Sequence, residues 1–360
     1  NVANVVQQVD VQAVPLTIEQ HTVPEYWCEK CQKPFRKELP SAIQKGGLVG
    51  PQLTALIAFM KGMCHASFST IRKFLRDVVG VTISRGQLSD TIQKVSDSLE
   101  QTYEELLLAL PNENVLNVDE TGHKDNGDRW WTWCFRADLY TVYHIDAHRS
   151  SEVLMELLGK DFNGVLGCDY FSAYRKYMKT CDVKVQFCLA HLIRDVKFLT
   201  TLPGREDKAY GERLKQALKE LFEVIHEREK VSAFAFRKRL ERARDGVLKA
   251  GMENVPATRH AQNMSKRFMK HGAAYFEFVT TPEVEATNNL AEQAIRFVVI
   301  DRHITQGTRS EAGRKWSERI WTIIGTCTQQ GKSVYGLIRQ AVENWFKGEA
   351  GPSLLPEAGA

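Results

Sequence analysis

Val115-Leu-Asn-Val-Asp-Glu-Thr121, Asp125-Asn-Gly-Asp128, Trp130-Trp-Thr-Trp-Cys-Phe135 and Tyr140-Thr-Val-Tyr-His-Ile145 follow one another in a single stretch of the chain. The first, third and fourth segments have the alternating or β-rich pattern of strands. Asn126-Gly127 is turn chemistry, because both residues accept the positive φ of a two-residue hairpin. Ala137-Asp138 predicts a second turn. Three strands joined by tight turns run antiparallel.

Working outward toward the C-terminus, the spacing predicts a helix over 150–158, with Ser150 as its cap and Val153 as its first buried residue. A short strand, Gly164-Val-Leu-Gly-Cys-Asp169, follows. Then come a helix over 170–178, a strand over 183–187 and a helix over 189–199. Crossover helices make these later connections parallel. The predicted architecture is α/β, with a mixed five-stranded sheet in the order of a ribonuclease H-like fold.

The remaining segments are placed around this core. Residues 1–45 read as β-rich, with extended chain and two short strands in 1–25, then a partial zinc-ribbon-like knuckle at Cys28-Glu-Lys-Cys31. Residues 46–112 read as helical, with Leu53, Leu56, Ile57, Met60 and Met63 on one face. Within them, 67–76 and 85–99 form a helix–turn–helix candidate, capped at Ser84. The core runs over 113–203 and resumes over 279–348 as helices. Between them, 204–278 shows no strand signal and reads as an all-helical insertion with an apolar stripe of Leu214, Leu218, Leu221, Val224 and Ile225. Residues 349–360 read as a flexible tail.

Composition excludes several classes. With 43% hydrophobic and 26% charged residues, the chain can bury a sizeable core and is not disordered throughout. No stretch approaches about 18 uninterrupted apolar residues, so no membrane partner is expected. No secretory signal opens the chain, and its eight cysteines are expected to be reduced thiols in the cytoplasm. The chain begins at Asn1, which predicts a missing or processed natural N-terminus. A net charge of +4 neither demands nor excludes a nucleic-acid partner.

Asp119 carries the most information about chemistry. It sits mid-strand among Leu116, Asn117 and Val118, where an unpaired charge is expensive to bury. Asp169 ends a second apolar strand. Two ionised carboxylates on neighbouring strands coexist when a divalent cation lies between them. Mg²⁺ prefers a few carboxylates with waters and phosphate oxygens, and paired ions serve in-line phosphoryl displacement. A third carboxylate is wanted from another element. Glu292 and Glu285 are the candidates, although Asn289-Leu-Ala-Glu292 also fits a capping box. Glu120 points to the opposite face of the sheet.

Four motifs give the chain a family resemblance: Val118-Asp-Glu-Thr121, Cys168-Asp-Tyr-Phe-Ser-Ala-Tyr174, Glu285-Ala-Thr-Asn-Asn-Leu-Ala-Glu-Gln-Ala-Ile-Arg296 and Gly307-Thr-Arg-Ser-Glu-Ala-Gly313, continued by Trp316-Ser-Glu-Arg-Ile-Trp321. The chain resembles transposases of the insertion sequence sixty-six family, within the Asp-Asp-Glu superfamily. The resemblance covers roughly residues 20–345. It implies a bacterial DNA transposase that is nucleoid-associated when active. It also implies that Asp119, Asp169 and Glu292 are catalytic and bind Mg²⁺ or Mn²⁺. The implied reaction is hydrolysis at transposon ends, then attack of the freed 3′ hydroxyl on target DNA. Transposon-end and target DNA are the implied partners, with a homodimer on the ends and accessory proteins of the same element. The alternatives are a ribonuclease H-like nuclease limited to hydrolysis and a non-catalytic transposase-derived DNA-binding protein.

Cys28 and Cys31 supply half of a tetrahedral zinc site. The resemblance implies an upstream cysteine pair, absent from this sequence, that would complete a site for Zn²⁺. Cys188 and His191 also have ligand-like spacing, against the plainer reading of a buried thiol beside a polar histidine. His191 and Arg194, one helical turn apart, are candidates for holding a phosphate. Arg296, Arg302, Arg309, Arg314, Lys315 and Arg319 form a basic cluster suited to DNA phosphates.

Overall fold

The computed structural model describes residues 16–356. Their packing divides into two units: residues up to 105 together with those from 301 onward, and residues 106–300. Strands expected within residues 1–15 lie outside the described residues, and residues 16–24 form none.

In the first unit, β1 (Glu25–Cys28) and β2 (Lys33–Arg36) make an exposed antiparallel hairpin with Cys31 in its turn. Helices α1 (Ser41–Gly46) and α2 (Pro51–Gly62) follow, α2 opening on a proline whose missing N–H costs nothing at a helix start. The buried face of α2 differs from the expected one. Thr54, Ala55, Ile57, Ala58 and Gly62 are buried, whereas Met63 is exposed. Small residues face inward because another helix comes close: a Cβ on Gly62 would sit 2.5 Å from Ile320.

Helix α3 (Phe68–Phe74) is capped by Ser67 and runs into a π-helical turn, Leu75–Val79. Helix α4 (Arg85–Ser98) begins where expected, with the Ser84 hydroxyl accepting from Gln87 N at 3.1 Å. Two basic residues of the helix–turn–helix candidate tie the pair together. Arg72 Nε donates to Ile83 O at 3.0 Å, and Arg85 Nη2 to Ser69 Oγ at 2.7 Å. Helix α5 (Glu100–Ala109) follows.

The second unit is built on a five-stranded mixed sheet, compatible with a ribonuclease H-like fold. Its strands are β3 (Val115–Asp125), β4 (Asp128–Arg136), β5 (Thr141–Asp146), β6 (Val165–Cys168) and β7 (Lys184–Phe187), in the order β5-β4-β3-β6-β7. The first three are antiparallel, and β6 and β7 add in parallel. The β3–β4 turn is the expected one: Asn126 and Gly127 have φ of 50° and 92° and Asp125 pairs with Asp128. Helix α6 (Ser151–Leu158) connects β5 to β6, and α7 (Ser172–Cys181) connects β6 to β7. Ser150 precedes α6 but makes no side-chain cap bond.

Helix α8 (Leu189–Thr201) leaves the sheet and leads to α9 (Arg205–Ile225), α10 (Ala233–Met252) and α11 (Arg259–His271), then a short α12 (Glu277–Thr280). Leu214, Leu218 and Leu221 of the expected stripe are buried. Helix α13 (Asn289–Thr305) follows, then α14 (Glu311–Gln329) and α15 (Val334–Lys347), capped by Ser310 and Ser333. The chain beyond Gly351, expected to be loose, is docked where it is described. Thr102 Oγ1 donates to Pro352 O at 2.7 Å, and Leu354 is fully buried. Among the described residues, no helix is long and apolar enough to cross a membrane.

Candidate active site

Register sets the positions of the two aspartates. Asn117 of β3 lies opposite Gly167 of β6 in a parallel pair. Asp119 and Asp169 are each two residues further along, so they occupy matching places at neighbouring strands. Gly167 keeps these strands close. A Cβ there would lie 2.6 Å from Asn117 Oδ1 and 3.7 Å from Asn288 Oδ1. Each aspartate has one oxygen engaged: Asp119 Oδ1 accepts from Glu120 N at 2.9 Å, and Asp169 Oδ1 accepts from Phe171 N at 2.8 Å, turning the chain into α7.

Glu292 arrives on the first turn of α13. Asn288 anchors that helix start: its Nδ2 donates to Val118 O at 2.9 Å, and its N–H to the Cys188 thiol at 3.2 Å. The first turn closes between Glu292 N and Asn288 O at 3.2 Å. The helix therefore begins one residue earlier than a capping box on Asn289 requires. The Glu292 carboxylate faces His191 instead, with Oε1 3.4 Å from His191 Nδ1. Glu285 lies on the preceding loop and is exposed.

Electrostatics link these groups. Burial, and next the charge of Glu120, push the Asp119 carboxyl up to about 7, and Asp169 and Glu292 add to the shift. A half-buried carboxylate with other carboxylates near it is short of positive charge. Glu292 Oε1, Asn288 Oδ1 and His191 Nδ1 are buried and have no hydrogen-bond partner. The unpartnered oxygens of Glu292 and Asn288 are hard donors of the kind Mg²⁺ or Mn²⁺ takes. A softer donor set shares one member: Cys188, His191 and Glu292 offer ligand atoms that all lie within 4.8 Å of one another. Such a set could hold a transition metal.

Glu120 takes the other face of the sheet, as strand alternation requires. Its carboxylate is almost wholly buried and accepts from Arg149 Nε at 2.7 Å and from the Tyr174 hydroxyl. Burial raises its carboxyl, while Tyr174 and Arg149 oppose that shift. The Arg149 guanidinium lies 3.9 Å from the Phe171 ring centroid and 4.6 Å from that of Trp131. Sequence reasoning missed Arg149, Tyr174 and the anchoring role of Asn288. Tyr174 and Asn288 lie inside the quoted motifs, which was the available signal. Arg149 had none.

The remaining expected residues are dispersed. Arg194 on α8 and Arg296 on α13 are exposed in the second unit. Arg302 and Arg314 are half-buried and Arg309 is exposed, all in the first unit. Arg319, grouped with them by sequence, is buried and serves the fold: Nη1 donates to Ser96 O at 2.9 Å and Nη2 bonds Glu100. Hydrogen bonding from the Cys31 side chain holds the Cys28 thiol below its ordinary range. Among the described residues, no third ligand group gathers at Cys28 and Cys31.

A family model described as "Transposase IS66 family" matches residues 46–315, well over half of the chain. No curated protein matches it.

Proposed function

The chain belongs to the IS66 family of transposases, and on that premise we propose that it cleaves transposon ends and joins them to target DNA by in-line phosphoryl transfer. The observation that carries this reading is the register that sets Asp119 of β3 beside the strand leading into Asp169, with Glu292 on the helix that Asn288 anchors to β3. Burial, and next the charge of Glu120, push the Asp119 carboxyl up to about 7, with smaller shares from Asp169 and Glu292. Asp119, Asp169 and Glu292 would hold Mg²⁺ or Mn²⁺. Held there, the metal supplies Lewis-acid stabilisation of the charge that builds on a phosphodiester during displacement. Asn288 fixes the start of α13 and hence the reach of Glu292. His191 lies beside the Glu292 carboxylate. Water and then a DNA 3′ hydroxyl act as nucleophiles, with no covalent enzyme–DNA intermediate.

Under the same proposal, the sheet and its flanking helices form a ribonuclease H-like core, with 204–278 as an insertion. Arg194, Arg296, Arg302, Arg309 and Arg314 contact DNA phosphates. The Cys28–Cys31 hairpin is a zinc-ribbon remnant, and the end-bound form is a dimer. Asp119→Ala, Asp169→Ala and Glu292→Ala should each abolish Mg²⁺-dependent cleavage of labelled end DNA while leaving its binding largely intact. Glu285→Ala should cleave normally. Cleavage by Glu292→Ala, or its loss only in Glu285→Ala, would reassign the third carboxylate. Strand joining with pre-cut ends separates a transposase from a nuclease limited to hydrolysis.

A further inference from the structure

Tyr170 directly follows Asp169 and carries two guanidinium groups on its ring. Arg175 of α7 lies 4.5 Å from the ring centroid and Arg267 of α11 lies 3.8 Å from it. Neither guanidinium is fully satisfied. Arg175 Nε and Arg267 Nη2 are buried with no hydrogen-bond partner. Arg267 is nonetheless held firmly: Nη1 bonds Asp195 Oδ2 at 2.7 Å, Nε bonds the Tyr275 hydroxyl, and the side chain is 11% exposed.

Both arginines line a cleft of about 500 Å³ together with Lys266, Lys270 and His271, against Asp195. A second cleft of about 800 Å³ shares Arg175, Lys270 and His271 with it. Lys179 and Lys184 extend the positive wall along the second cleft, against Asp182 and Glu277, while Lys176 there is paired with Glu152 at 2.7 Å. The chain as a whole is only +4, so this concentration of cations is local. Buried N–H donors left without acceptors are costly. Guanidinium groups fixed by stacking are preorganised for oxyanions, above all phosphate.

We propose that these two clefts, flanking the Asp169 turn, form a binding track for the phosphodiester backbone of duplex DNA. The proposal rests on the transposase reading and specifies where the second unit grips its substrate. The Tyr170 ring is already taken by two cations, so it does not serve as a base-stacking platform. Recognition here is of phosphates and independent of sequence.

The test is fluorescence anisotropy with labelled duplexes of two unrelated sequences, in EDTA, between about 50 and 200 mM salt. Arg175→Gln and Lys270→Gln should each flatten the slope of log affinity against log salt by about 1, and the pair by about 2, equally on both sequences. Lys270 is exposed, so its replacement leaves the fold intact even if Arg175→Gln does not. A charge-matched control, Lys208→Gln with Lys219→Gln on α9, should keep the wild-type slope. An unchanged slope in Lys270→Gln and the double variant, or an equal loss in the control, overturns the proposal. Cleavage is not read in this assay, so failure of the carboxylate assignment shows separately, as cleavage by Asp119→Ala. Wild-type protein with no salt-dependent DNA affinity would remove the DNA reading itself.

Discussion

Asp119 is half-buried among its own kind. Its folded carboxyl titrates near 7, against 3.8 for the free group. The sign follows from linkage. Because the folded state holds the proton more tightly, this site's contribution is fully present below about pH 4. It is lost as pH rises toward 7 and stays lost above that. The shift corresponds to a penalty of up to roughly 4 kcal/mol at pH 8. Asp119→Asn should therefore raise thermal stability at pH 8 in EDTA and change it little near pH 4, as scanning calorimetry would show. Mg²⁺ or Mn²⁺ should stabilise the wild type at pH 8 and lose that effect in Asp119→Asn. A variant no more stable than wild type at pH 8 would mean that burial and the neighbouring carboxylates do not raise the Asp119 carboxyl as its surroundings indicate.

At the scale of elements, the two faces of β3 divide the work. One face presents Asp119, with Cys134 and Tyr143 in register beside it, and Tyr143 Oη bonds Ala294 O of α13 at 2.8 Å. The other presents Glu120 to Arg149 and to Tyr174 of α7. That buried cluster ties β3 to the segment that follows Asp169, so it acts on the carboxylates through the backbone. Removing one partner of a buried pair leaves an uncompensated charge, at a cost of about 3–5 kcal/mol. Arg149→Met should lose about 3 kcal/mol in urea denaturation, since Arg149 is partly exposed. Adding Glu120→Gln should restore much of the loss. An additive double variant would show that the two residues do not interact. Gly167→Ala tests the spacing of β3 and β6. Its methyl would meet Asn117 Oδ1 at 2.6 Å, and overpacking of this kind costs about 1–3 kcal/mol. Cleavage should fall with stability, because β3, which bears Asp119, and β6, which leads into Asp169, are forced apart.

At the scale of the whole molecule, the first unit is assembled from the two ends of the described chain. Arg319 of α14 reaches Ser96 and Glu100, and Pro352 accepts from Thr102. Gln330 Nε2 donates to Leu354 O at 2.8 Å, and the Leu354 side chain is fully buried. Truncating it should therefore cost what a core leucine costs. Leu354→Ala is expected to destabilise the protein by about 2–4 kcal/mol, measured by urea denaturation. A change within about 0.5 kcal/mol, the level of a surface substitution, would mean that the segment is not docked in solution.

The sheet was legible in the sequence because its evidence is local. Strand alternation, the Asn126-Gly127 turn and helix-length crossovers each act within a few residues, and together they leave few topologies open. The placement of Glu120 opposite Asp119 followed from the same alternation. What only the tertiary structure decided depends on residues far apart in the chain. The inward face of α2 was set by Gly62 meeting Ile320, which hydrophobic periodicity cannot register. Arg319 looked like a DNA contact because its charge is local, while its partners lie some 220 residues away. The C-terminal segment looked loose because its composition is that of a loop, and Leu354 gains its value only from the pocket that receives it. The match of Asp119 with Asp169, the anchoring of Glu292 through Asn288 and the unsatisfied guanidinium groups on Tyr170 are likewise products of packing. Sequence names the groups that can carry charge; the fold decides which are left without a partner.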